Sequence, residues 1–252
     1  KTASGKIAIG ATQRALSLFV MVLGFCRALW ARFVLDQSME SLLRCHASAF
    51  ESFGGVPRTI LYDNMKSVVL ERVGEHVHFH PRLLELAGHY HFFPRPCAPY
   101  RGNEKGKVER AIQYVRRSFF EARRFSSLED LNRQLEEWIH DVAHARVVPG
   151  DPEQRLVRDA LAEERSVLLP LPQHRFESDL VQPVRSGKRP YVRFDGNEYS
   201  IPHTLVKKPL TLVVSEREVR VLDGPNEVAL HPRCYERHRV VEDREHVEAL
   251  GK

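Results

Sequence analysis

Pro99-Tyr100-Arg101-Gly102-Asn103-Glu104-Lys105-Gly106-Lys107-Val108-Glu109-Arg110 sets the carboxylate of Glu109 among Lys105, Lys107 and Arg110. From Lys105 to Arg124 seven cations (Lys105, Lys107, Arg110, Arg116, Arg117, Arg123, Arg124) stand against two acids, Glu109 and Glu121. A solvated helix face is the ordinary reading of a charge run. Here the imbalance surrounds a carboxylate that opens a helix, so the expected partner is phosphate, with the acid held for a cation or for chemistry.

A second acid stands upstream. Thr59-Ile60-Leu61-Tyr62 reads as a buried strand, and Asp63 follows it, with Asn64 next. The bland reading is a capped turn after a strand. Carboxyl ends of strands are also where α/β sheets place their sites. One acid on a strand tip and one on a basic helix are the donors that a divalent-metal phosphoryl-transfer site requires, because hard cations prefer oxygen.

Lys105-Gly-Lys-Val-Glu-Arg110, together with Tyr62-Asp63-Asn64 after Phe53-Gly-Gly-Val-Pro-Arg58, resembles the second and third acids of DDE transposases, in particular the IstA type of bacterial insertion sequences. The likeness continues through Phe125 to Trp138 and Phe194-Asp-Gly-Asn-Glu-Tyr-Ser-Ile-Pro202. It implies an α/β RNase-H-like (integrase-type) core with strand order 3-2-1-4-5, and Asp63 and Glu109 as catalytic metal ligands for two Mg²⁺ or Mn²⁺ ions. It also implies DNA cleavage and strand transfer at terminal inverted repeats, a homo-oligomer, and a partner AAA+ ATPase of the IstB type. In the resembling proteins the first acid lies on the first strand. That strand is expected upstream of Lys1, ahead of the hairpin that begins near Ile7, so residues 1–252 alone are expected to be inactive. Asp36 reads instead as a helix N-cap, ahead of the helix that begins near Ser38. A catalytically inactive DNA-binding or scaffolding relative with the same fold stays open as the alternative.

The residues expected on DNA are Asn64, Lys66, Arg101, Lys105, Lys107, Arg110, Arg116 and Arg117 in the core, and Lys188, Arg189, Lys207 and Lys208 further on, with Arg185 and Arg193 beside them. Glu104 competes with Glu109 for the third acid, but a solvated charge favoured by the helix N-terminus explains it.

A length of 252 residues and 42% hydrophobic content support a substantial core, and a net charge of +5 agrees with an anionic partner. Cys26, Cys45, Cys97 and Cys234 show no Cys-x-x-Cys spacing, which argues against a zinc ribbon and points to reduced thiols in a cytoplasmic setting. The apolar run Ala15–Cys26 is too short for a membrane span.

The chain divides into a core over 1–125, a helical extension over 126–167, a Pro-containing linker over 168–190 and a small all-β barrel over 191–250. Within the core, strands are expected over 16–23 and 26–35, a helix over 38–50, a strand over 58–62, a helix over 81–89 and a strand over 91–94. Asp195-Gly196 signals a type I′ hairpin. His140-Asp-Val-Ala-His144 copies the spacing of a helical zinc site, but no third ligand is evident, and ordinary helix histidines explain it better. His76-x-His78-x-His80 reads as one face of a strand.

Overall fold

The computed structural model describes residues 2–9, 12–62, 69–73, 76–97 and 102–248. They fall into two compact units, Lys1–Ile7 with Ala15–Phe176 and Ala8–Arg14 with Glu177–Lys252.

The first unit opens with β1 (Thr2–Ile9), β2 (Thr12–Val22) and β3 (Leu29–Val34), adjacent in that order. The sequence assigns no strand to Thr2–Ile9. The structure puts one there, on the side of β2 away from β3, which corrects the expectation of a core without its first strand in this chain; the residues of this strand include no acid. β3 is an edge strand whose alternate residues Leu29, Ala31 and Phe33 are buried. An edge strand leaves backbone groups unpaired. Asn132 answers this at Phe33: its Oδ1 accepts from the Phe33 amide at 2.8 Å, and its Nδ2 donates to the Phe33 carbonyl at 2.9 Å.

Next comes α1 (Met39–Phe53), capped by Ser38, whose hydroxyl accepts from the Ser41 amide. Asp36 accepts from both the amide and the hydroxyl of Ser38, so it braces the cap. Gly54 closes the helix at φ 77°, the left-handed conformation that glycine adopts without a Cβ penalty. β4 (Thr59–Tyr62) follows, then a hairpin the sequence reading did not contain, β5 (Val69–Val73) and β6 (His76–Phe79). α2 (Pro81–Tyr90) has His80 as its cap and Pro81 in its first turn. β7 (Phe93–Pro96) starts two residues later than expected and runs parallel to β4. One apolar core joins Phe50 and Phe53 of α1, Ile60 and Tyr62 of β4, and Leu83, Leu86 and Tyr90 of α2.

The helical region comprises α3 (Gly102–Ser118), α4 (Leu128–Trp138) and α5 (Val157–Glu164). Ser127 caps α4, while Asp130 reaches back to the Ser126 amide, a reciprocal arrangement that stops fraying. The last turn widens into a π-helical segment over Ile139–Ala143.

The second unit holds β8 (Leu180–Arg185), β9 (Tyr191–Phe194), β10 (Asn197–Ser200), β11 (Pro209–Val214), β12 (Glu218–Asp223), β13 (Asn226–Pro232), β14 (Val240–Val241) and α6 (Arg244–Glu248). The expected closed barrel is corrected to two open sheets, β14-β10-β9 and β13-β12-β11-β8, which share a core around Val192, Tyr199, Leu212 and Val219. The reason lies in the partners. β10 takes β14 in parallel on one side and β9 on the other, leaving β11–β13 to be completed by β8. The stretch 168–190 is therefore linker only in part, since β8 lies inside it. Pro183 is tolerated there because β8 is an edge strand, where a missing amide hydrogen is harmless. Asp195 and Gly196 have φ 46° and 78°, the two positive values a type I′ turn demands.

Candidate metal and DNA site

Asp63, Asn64, Lys66 and Arg101 lie outside the described residues. What leads into them is well defined. Tyr62 ends β4 and is buried, paired in register with Pro96 at the end of β7. The Cys97 amide donates to the Tyr62 carbonyl at 2.9 Å, so the segments that continue to Asp63 and to α3 leave from one point. Tyr62 is itself held by His46 of α1: its hydroxyl lies 2.9 Å from Nε2, and the rings stack at 5.6 Å. Burial pushes His46 down to about 4 and raises Tyr62. His46 falls on the apolar phase of its helix in the sequence, and nothing there marks it as the partner of the strand that precedes Asp63.

On α3, Lys105 lies in the first helical turns, Lys107 and Glu109 are half-buried, and Arg110 is exposed. Lys107 Nζ donates to the Gly24 carbonyl at 3.4 Å, tying the helix to the β2–β3 turn. Burial lowers the Lys107 ammonium below its usual range, and the charges of Arg27 and Arg110 lower it further. Arg27 was not singled out in the sequence; only the turn brings it to α3. Arg116 is half-buried and Arg117 exposed at the far end of the helix, beyond which Arg123 stacks on Phe119. In the second unit Lys188, Arg189, Arg193, Lys207, Lys208 and Arg185 are all exposed. Arg189 and Arg193 both reach Glu198, at 3.1 and 2.8 Å, and Arg185 donates to the Lys207 carbonyl.

The histidine pair does not form a zinc motif. His144 Nε2 lies 3.2 Å from the Leu29 amide nitrogen and 3.0 Å from the Leu29 carbonyl oxygen, whereas His140 is exposed and pairs with Asp141 at 2.7 Å. His80 is consumed by its cap on α2. No helix among the described residues is long and apolar enough to cross a membrane.

Residues 4–102 match the integrase core domain family, and residues 171–243 match the family described as Mu transposase, C-terminal domain. Over 231 residues, 91% of this chain and 59% of the relative, the sequence is 35% identical to the transposase for insertion sequence element IS21 of Pseudomonas aeruginosa. The chain carries an integrase core domain and is similar to transposases of insertion sequences. The chain is also 40% identical to the putative transposase for insertion sequence element IS5376 of Geobacillus stearothermophilus, over 62% of the chain and 40% of that protein. It is 39% identical to the transposase for insertion sequence element IS640 of Shigella sonnei, over 60% of the chain and 49% of that protein. It thus spans about half the length of the relatives it matches. Its fold is the RNase-H-like one of integrase cores: β3-β2-β1 and β4-β7 are the two parts of that strand order. The integrase-core match ends at residue 102, before Glu109, so the assignment of the third acid depends on the α3 sequence itself.

Proposed function

We propose that the protein to which this chain belongs cuts DNA at the ends of an insertion sequence and joins the freed 3′ ends to target DNA, with Asp63 and Glu109 holding divalent metal. The observation that carries this is the common exit of β4 and β7, fixed by the Cys97–Tyr62 hydrogen bond. Asp63 is the next residue along one branch. The other branch reaches Gly102 within five residues, at most roughly 18 Å of extended chain. Glu109 follows two helical turns later.

Two carboxylates are the oxygen donors that suit Mg²⁺ or Mn²⁺. Bound there, a metal pair supplies an activated attacking oxygen and a stabilised leaving oxygen. The chain's own residues do the rest. Asn64 orients the Asp63 carboxylate, and Lys66, Arg101, Lys105, Lys107, Arg110, Arg116 and Arg117 hold the DNA backbone in position by charge. The exposed cations of the second unit add further contacts to the DNA backbone. Terminal inverted repeats and target DNA are the substrates, and the working assembly is a homo-oligomer acting with an IstB-type AAA+ ATPase.

The test uses the full-length protein and a labelled terminal-repeat duplex, with 3′-end nicking and joining measured in Mg²⁺ and in Mn²⁺. Glu109→Gln should abolish both steps while DNA affinity is kept, since the change removes a metal ligand without adding bulk. Glu104→Gln should be mild. The opposite pattern would move the third acid to Glu104, and full activity in Glu109→Gln would reject the metal assignment.

A further inference from the structure

The turn between β2 and β3 carries a feature that neither strand requires. Arg27 has φ 61°, a left-handed backbone conformation in which glycine or asparagine is at ease and arginine is strained. One terminal guanidinium nitrogen of Arg27, an NH1 donor, is buried and has no hydrogen-bond acceptor among the described residues. An unmet buried donor is costly, and more so on a charged group. The carboxylate bonded to this turn, Glu164, accepts from the Cys26 amide at 2.9 Å and makes no bond to Arg27 among the described residues. Meanwhile Lys107 anchors to the same turn through the Gly24 carbonyl at 3.4 Å, and Arg110 stands one turn further along the same face of α3. Like charges have therefore been gathered where repulsion and desolvation both act against them. A bound anion accepts from the unmet donor and offsets the like charges together.

We propose that Arg27, Lys107 and Arg110 form a phosphodiester-binding subsite, built from the β2–β3 turn and one flank of α3, that grips the DNA backbone beside the reacting group. This rests on the DNA reading proposed above. Lys107 and Arg110 are three residues apart and share a helix face. Glu109 lies roughly 200° around the helix from Lys107, at about 100° per residue. The phosphate held by Arg27 and Lys107 is therefore a different one from that undergoing chemistry, and its role is to fix the register of the strand. The strained backbone of Arg27 then has a reason: the turn delivers a planar, two-pronged donor to a phosphate, which lysine or glycine would not do.

The experiment takes the full-length protein and measures affinity for a terminal-repeat duplex across a salt series, together with thermal melting. Arg27→Gly relaxes the backbone and removes the guanidinium. It should hold or raise the melting temperature, weaken DNA binding about tenfold and lower the salt slope by about 1. Arg27→Lys should keep most of the slope. Unchanged affinity and slope in Arg27→Gly would overturn the subsite. A drop in its melting temperature would overturn it too, because the guanidinium would then be holding the fold. Glu109→Gln, measured alongside, separates the two claims: if it remains active the metal assignment fails, while the Arg27 result still decides the subsite.

Discussion

Tyr62 donates its hydroxyl hydrogen to His46 Nε2 at 2.9 Å, because the other ring nitrogen, Nδ1, has already given its hydrogen to the Leu42 carbonyl at 2.8 Å. A carbonyl can only accept, so the tautomer is fixed by the backbone of α1. Helix and strand are thereby locked together one residue before Asp63. Tyr62→Phe keeps the ring against His46 and Phe79 but strips the donor, leaving a buried ring nitrogen without its partner. The expected loss is about 1–3 kcal/mol, read as a lower urea midpoint at unchanged slope. A midpoint equal to the parent's would show that this bond does not stabilise β4.

The same imidazole sets a pH dependence. Its folded value, about 4, lies below its ordinary 6.5, so between those limits the unfolded chain binds the extra proton. Stability therefore rises with pH through that window and is lost as pH falls from 6.5 towards 4, by up to about 1.4 kcal/mol per pH unit for one such group. His144 and His231, also lowered by burial, act in the same direction. Replacing His46 with Gln should flatten the slope of unfolding free energy against pH in this range. An unchanged slope would place the acid sensitivity elsewhere.

Gly55 belongs to the Gly-Gly-Val-Pro run by which the sequence resembled its family, and the structure supplies a local reason for it. A Cβ there would stand 2.7 Å from the Leu168 Cβ and 3.0 Å from the Leu169 carbonyl oxygen. That crowding would push apart the bridge in which Val56 and Leu169 exchange amide bonds at 2.9 and 2.8 Å. Gly55→Ala should cost about 1–3 kcal/mol by overpacking. Wild-type stability in that variant would mean that the segment at Leu168 yields freely.

Local signals carried much of this fold. The Ser126-Ser127 pair announced α4 by capping chemistry, Pro81 marked a first turn, and Asp195-Gly196 specified the hairpin it forms, whereas the cap of α1 is Ser38 and not Asp36, which braces it. What escaped was decided by pairing across distance. Prolines made 168–190 look like a linker, although β8 needs only one free edge to accept Pro183. Period-two alternation announced strands over 191–250 but could not say whether the sheets close. Thr2–Ile9 has a strand's partner in β2 that its own residues do not advertise. The charge pattern that sets Lys107, Glu109 and Arg110 on one helix was legible. Arg27 and His46 were not, because each acts through a residue brought to it by the fold.

The exposed cations of the second unit should not contribute equally to DNA binding. Arg189 and Arg193 already share Glu198, so a phosphate must compete with a carboxylate for them. Among the described residues Lys188, Lys207 and Lys208 have no ion-pair partner, and exposed ammonium groups release counterions when they meet phosphate. Neutralising those three lysines to Gln should lower the salt slope of DNA binding by about 2–3, whereas the same change at Arg189 and Arg193 should lower it by less than about 1. Removing Glu198 as Glu198→Gln should raise affinity, since it frees two guanidinium groups. Equal slopes for the triple-lysine variant and the parent would make this surface a solvated rim. A fall in affinity on Glu198→Gln would mean that the Arg189–Glu198–Arg193 group organises the sheet edge rather than restraining its charge.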